Sequence, residues 1–211
     1  MELWPPKSWP ALLVGLMLLT YWLRVMQMVR RTKQVAGHHA NLIPEEKVGR
    51  ILRIIWIPAV CLWIVLPIVA ALGIGVSNPV FGPITDTSMI AWPAVILAAV
   101  AYGLTWICWH RMGKSWRMGI DPNDKTQLVF NGPFAFVRNP IYGLSQLLMF
   151  LTIVIIPSPA LLAIGVIHIL LMQWEVRREE VYLTSLHGES YIRYLQNVGR
   201  FLPRSLRAYR P

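Results

Sequence analysis

Residues 139–174 read NPIYGLSQLLMFLTIVIIPSPALLAIGVIHILLMQW, without a single Asp, Glu, Lys or Arg. An α-helix rises about 1.5 Å per residue and a bilayer core is about 30 Å thick, so one crossing takes about 20 apolar residues. This run is too long for one crossing and short for two. Pro157-Ser158-Pro159 stands at its middle. Proline removes a backbone donor there and pushes the residue before it out of helical geometry. The expectation is a helical hairpin with arms Tyr142–Ile156 and Ala160–Trp174.

Three more apolar stretches lie upstream. Trp9–Leu23 extends past Arg24 to Val29, because an Arg near a helix end can snorkel to the interface. Ile54–Val76 and Thr87–Trp109 are each long enough to span. The fold class expected is all-α: a polytopic integral membrane protein with five transmembrane helices, two of them the hairpin. Composition agrees. The 211 residues are 55% hydrophobic and only 14% charged, against about 25% charged in soluble domains, and mean hydropathy is +0.50. The flank MELWPPKSWP lacks the strongly basic start and small-residue cleavage site of a signal peptide, so the first helix is expected to stay.

Of the 20 Lys and Arg, one, Lys7, precedes the first helix, and the loop 77–86 has none. The rest fall at Arg24–Arg53, Arg111–Arg138 and Arg177–Arg210. By the positive-inside rule the N-terminus is outside and the large loops and tail are cytoplasmic. The net charge of +10 then reads as topology and attraction to anionic headgroups. No basic–aromatic module points to nucleic acid. Cys61 and Cys108 both fall inside spans and read as small core residues rather than a disulfide framework. The five histidines show no metal-ligand spacing, so no metal is expected. His168, mid-arm, suits a hydrogen-bonded packing residue or an intramembrane functional group. Trp4, Trp9, Trp56, Trp106, Trp109, Trp116 and Trp174 stand near span ends, as an interfacial belt would require.

Two regions divide the chain: residues 1–110 as scaffold helices and 111–211 as a functional core. Thr126-Gln127-Leu128-Val129 reads as a short extended segment, Asn131-Gly132-Pro133 as a sharp turn, and Asn139-Pro140 as a restricted step. The exposed backbone of such a loop is tolerated at membrane depth only when buried in protein or bonded to a ligand. Phe134, Phe136 and Tyr142 offer flat surfaces suited to a ring, and Arg138 offers a planar cationic fork. The same residues would also serve an interfacial loop whose Arg meets phosphate headgroups. Beyond the hairpin, Arg177-Arg178-Glu179-Glu180 opens an amphipathic tail broken at Gly188. Adjacent helical carboxylates point about 100° apart, so Glu179 and Glu180 face different surroundings. One could accept hydrogen bonds from a ribose or attract a cation, or both could simply pair with neighbouring arginines.

The ordered set GPFxxVRNPxY, an apolar hairpin, REExxL and HGxxYxxYxxxVxRFLP resembles the isoprenylcysteine carboxyl methyltransferase family, and more broadly the membrane methyltransferases that include phospholipid N-methyltransferases. The resemblance covers about residues 125–203. It implies S-adenosyl-L-methionine bound at the cytoplasmic face and a methyl group passed to a lipophilic, membrane-embedded acceptor, a carboxylate or an amine. The implied cofactor contacts are Thr126, Gln127, Leu128, Val129, Phe134, Asn139, Pro140, Ile141, Tyr142, Glu179 and Glu180. Arg138 and Glu175 are the candidates for orienting the acceptor. Thr126 and Asn139 replace histidines of the eukaryotic carboxyl methyltransferases, and Glu175 stands where those enzymes hold an arginine for the substrate carboxylate. On charge alone an acidic Glu175 suits an amine or another cation. Two other functions share these features. Sterol reductases that bind NADPH carry a similar Arg-x-Pro-x-Tyr turn, and a non-catalytic membrane protein could retain the fold.

Overall fold

The computed structural model of the protein describes residues 8–36, 47–113, 116 and 128–210, with residues 32–36 traced as backbone alone. Thr126 and Gln127 lie outside the described residues. Among the described residues six α-helices run in order: α1 (Trp9–Ala36), α2 (Lys47–Ala71), α3 (Ser88–Met112), α4 (Pro140–Ile155), α5 (Pro159–His187) and α6 (Glu189–Asn197). A 3-10 turn, Gly132–Ala135, precedes α4. No β-strand occurs among the described residues; Val137 and Gly199 form one isolated parallel bridge.

The chain is an all-α membrane protein. Helices α1, α2, α3 and α5 are long and apolar enough to cross a bilayer, and α4, with 16 residues, is a shorter apolar helix. Their outward faces stay apolar. Ile96, Leu97, Val100 and Leu104 on α3 are all exposed, as are Val166, Ile169 and Leu170 on α5. A helix apolar all round belongs in lipid or in a large core. The inward faces follow helical spacing, with Ala11, Val14, Leu18, Tyr21 and Val25 buried on α1. A small-residue stripe, Ala91, Ala94, Ala98 and Ala101, is buried on α3. Such stripes let transmembrane helices approach closely.

The hairpin forms at the expected prolines. Ser158 is the N-cap of α5, its hydroxyl accepting from Leu161 N–H at 3.2 Å, and Pro159 takes the first helical position. The second arm does not stop at Trp174, however. It continues unbroken through Glu175–His187. Charge ends an apolar run, but Arg and Glu are good helix formers and the backbone ladder runs on. The helix ends only at Gly188, where φ is +54°, a conformation costly for any residue with a side chain.

Trp56, Trp109 and Trp116 are buried against neighbouring helices, while Trp9 and Trp106 are exposed. One expectation about side-chain placement is revised. Cys108 is a core residue, but Cys61 is exposed on the outer face of α2.

Candidate functional site at the charged end of the bundle

The loop before α4 is fastened to the C-terminal tail by backbone bonds. Gly132, at φ +61°, turns the chain into the 3-10 segment. Arg138 N–H then donates to the Gly199 carbonyl at 2.8 Å and Asn139 N–H to the Arg200 carbonyl at 3.0 Å. Tyr194 hydroxyl donates to the Phe134 carbonyl at 2.6 Å, and Tyr209 N–H to the Ala135 carbonyl at 2.9 Å. Burial pushes the Tyr191 and Tyr194 hydroxyls well above the ordinary phenol range, so both remain protonated at physiological pH. Leu128 and Phe130 pack on the same Tyr191, Tyr194 and Val198 cluster. Phe134 is buried within the loop, and Val129 is half-buried beside it in sequence.

Glu180 anchors this fastening. Its carboxylate accepts from Arg138 Nη2 at 2.9 Å and Nε at 3.2 Å, from Asn139 Nδ2 at 3.2 Å, and from Arg200 Nη2 at 2.5 Å and Nε at 3.1 Å. Arg138 Nη1 donates onward to the Leu195 carbonyl at 3.0 Å and to the Val198 carbonyl. Arg138 and Glu180 side chains are 6% and 9% exposed, so this is a buried pair whose donors and acceptors satisfy one another. Charge-assisted forks of this kind hold one geometry. The arrangement fixes the rotation of α5 relative to the loop.

Glu179, one residue earlier, meets a different neighbour. Its carboxyl group faces the Tyr142 hydroxyl of α4, and the two groups interact electrostatically. Both side chains are only partly buried. Tyr142 also packs against the cluster of Trp56, Val60, Leu171 and Met172. Pro140 opens α4 and is buried, and Ile141 packs on the main core. The loop turn and the acidic start of the tail therefore meet in space, on one end of the bundle.

A second ion pair lies deeper. Arg53 of α2 donates from Nη2 to Glu175 at 2.5 Å, with side chains 5% and 4% exposed. Arg178 reaches the other Glu175 oxygen at 3.4 Å. Arg53 also lies over the Trp56 ring at 5.0 Å, and Arg178 over Trp174 at 4.4 Å. From Pro159 to Glu175 the axis of α5 climbs about 24 Å, so this pair sits near one margin of a bilayer core, at the end opposite the hairpin turn. Arg53 sets the charge around Glu175, and the acceptor's sign can no longer be read from Glu175 alone. His168, a further two turns inward, is a packing residue tied at both nitrogens. Trp56 Nε1 donates to Nδ1 at 3.2 Å, and Nε2 lies 3.1 Å from Ser145 Oγ. An indole only donates, so Nδ1 is the acceptor and Nε2–H points to the serine.

Residues 89–190, just under half of the chain, match the family model described as phospholipid methyltransferase. That segment is similar to the phospholipid methyltransferase family. The family falls within the group of membrane methyltransferases resembling the isoprenylcysteine carboxyl methyltransferases. It implies methyltransferase activity in an integral membrane protein. No curated protein matches the chain. The match starts in α3 and ends in α6, so it contains the loop, the hairpin and Glu175–Glu180. It leaves out Arg53 and Arg200, the two cations that complete the ion pairs of this region. Sequence reasoning gave neither a role. For Arg200 the signal was present, as the one arginine inside the closing RFLP motif. For Arg53 it was weaker: the last of three cations, after Lys47 and Arg50, before the apolar run of α2.

Proposed function

We propose that the protein binds S-adenosyl-L-methionine where the 128–139 loop, α4 and α5 converge, and transfers its methyl group to a lipophilic acceptor in the bilayer. The observation that carries this reading is the meeting of Tyr142 and Glu179 across two helices, both partly accessible, beside a carboxylate already saturated by arginines. Glu180 is occupied in holding the loop; Glu179 is the acidic group left facing the junction. Its carboxyl oxygens suit the hydroxyls of a ribose or an ammonium group, and Tyr142 fixes its orientation. Asn139 and Pro140 set the direction in which α4 leaves the loop, and Leu128 and Val129 form the loop's near edge.

When bound, such a cofactor supplies an electrophilic methyl group on a sulfonium. The protein's share is then alignment and exclusion of water rather than a dedicated nucleophile. The Trp56, Tyr142 and Trp174 cluster provides an apolar wall on the membrane side. Arg53 and Glu175 lie on the route from lipid and are the pair suited to orient a polar acceptor group. The positive-inside pattern supports a cytoplasmic site and C-terminus with the N-terminus outside.

The test is binding. Purified protein should gain thermal stability with S-adenosylhomocysteine and none with NADP. Glu179→Ala and Tyr142→Phe should each weaken that binding about tenfold, or about 1.4 kcal/mol. Unchanged affinity in both variants would mean the cofactor sits elsewhere.

A further inference from the structure

Past α6 the chain turns back along that helix. Arg204 Nη1 hooks the Gln196 carbonyl at 2.6 Å, and Tyr209 stacks on Phe130 and Tyr194. Between α6 and this returning segment lies an open cleft of about 490 Å³. Arg193 projects from the helix side and Arg207 and Arg210 from the tail side, with Ser190, Asn197 and Ser205 between them. The lining contains no acidic residue. Among the described residues, none of the three guanidinium groups has a hydrogen-bond or ion-pair partner. Three like charges around one hollow repel one another, and the arrangement is relieved by an anion with several oxygens.

The same segment exposes two leucines. Leu202 is 78% and Leu206 92% exposed, although neither serves the packing of the tail. Their depth gives them a medium. From Pro159 to Glu180 the α5 axis climbs about 32 Å, and to His187 about 42 Å, so α6 and the tail occupy the headgroup layer just beyond the hydrocarbon. Arginines reaching phosphate beside leucines reaching acyl chain is the composition of an interfacial membrane contact. A soluble phosphate would explain the arginines but not the leucines.

We propose that the α6–tail cleft is a binding site for the phosphate headgroup of an anionic phospholipid, separate from the Tyr142–Glu179 junction. A lipid held there braces the tail that donates Arg200 to Glu180 and Tyr209 N–H to Ala135. Occupancy should therefore stiffen the loop before α4.

The experiment uses the full chain in detergent micelles, titrated with short-chain phosphatidylglycerol, short-chain phosphatidylcholine or inorganic phosphate, with thermal unfolding as the readout. Phosphatidylglycerol should raise the melting temperature, with little effect from the other two. Arg193→Gln and Arg207→Gln should each weaken the apparent affinity about fivefold, and together more. Arg177→Gln, on the exposed face of α5, should leave it unchanged. An equal response to inorganic phosphate would overturn the lipid assignment. Equal losses with Arg177→Gln would reduce the effect to general surface charge and overturn the site. S-adenosylhomocysteine binding, measured in parallel, should persist in the cleft variants, which separates this proposal from the cofactor reading.

Discussion

At the hairpin-turn end the bundle is closed by neutral hydrogen bonds, whereas at the opposite end backbone bonds are joined by buried ion pairs. Ile84 N–H donates to the Pro157 carbonyl at 2.9 Å and Ala160 N–H to Val80 at 3.0 Å, and Thr87 hydroxyl bonds the Ile155 carbonyl at 2.9 Å. No Lys or Arg lies in residues 77–86. At the other end Arg53–Glu175 and Arg138–Glu180–Arg200 join elements far apart in sequence. Neutral closure of this kind loses about one hydrogen bond's worth of stability when a single side chain is changed. Ion-pair closure depends on each partner, and removing one strands a desolvated charge. The protein thus concentrates its fragile contacts where a water-soluble ligand would meet an oily one.

The comparison can be broken most sharply at Glu180. Glu180→Ala leaves Arg138 buried without its carboxylate and should cost about 3 kcal/mol, read as a lowered midpoint of thermal unfolding and faster proteolysis after Arg138. Arg53→Met should cost somewhat less, about 2 kcal/mol, because Arg178 still reaches Glu175. The double variant Arg53→Met with Glu175→Met should recover most of that loss in a thermal double-mutant cycle. Failure to recover would mean that the pair does more than neutralise itself. Thr87→Val at the hairpin-turn end removes one hydroxyl hydrogen bond and should cost only about 1 kcal/mol by the same melt. A larger loss there than at Glu180 would reverse the contrast.

Much of this was legible before any coordinates. The proline pair set the hairpin, Gly188 set the break in the tail, and apolar length set the spanning helices. The 100° offset between neighbouring carboxylates foretold that Glu179 and Glu180 would find different partners, which they do in Tyr142 and the two arginines. What sequence could not supply was pairing across distance. Arg53 and Glu175 are 122 residues apart, and nothing local in either predicts the other. The continuity of α5 was hidden for a different reason: hydropathy reports where lipid stops, not where the backbone ladder does. The bond from Trp56 to His168 was likewise hidden, because the two lie on different helices.

The stitching of residues 137–139 to 199–200, with Tyr209 closing on Ala135, carries a consequence for biogenesis. The hairpin, residues 140–187, precedes Tyr209 in the chain and can insert into the membrane before that residue is made. The loop in front of it cannot lock until Tyr209 has cleared the exit tunnel. Latching of this end therefore waits on Tyr209, and a product cut short before that residue would be inserted but left without this closure.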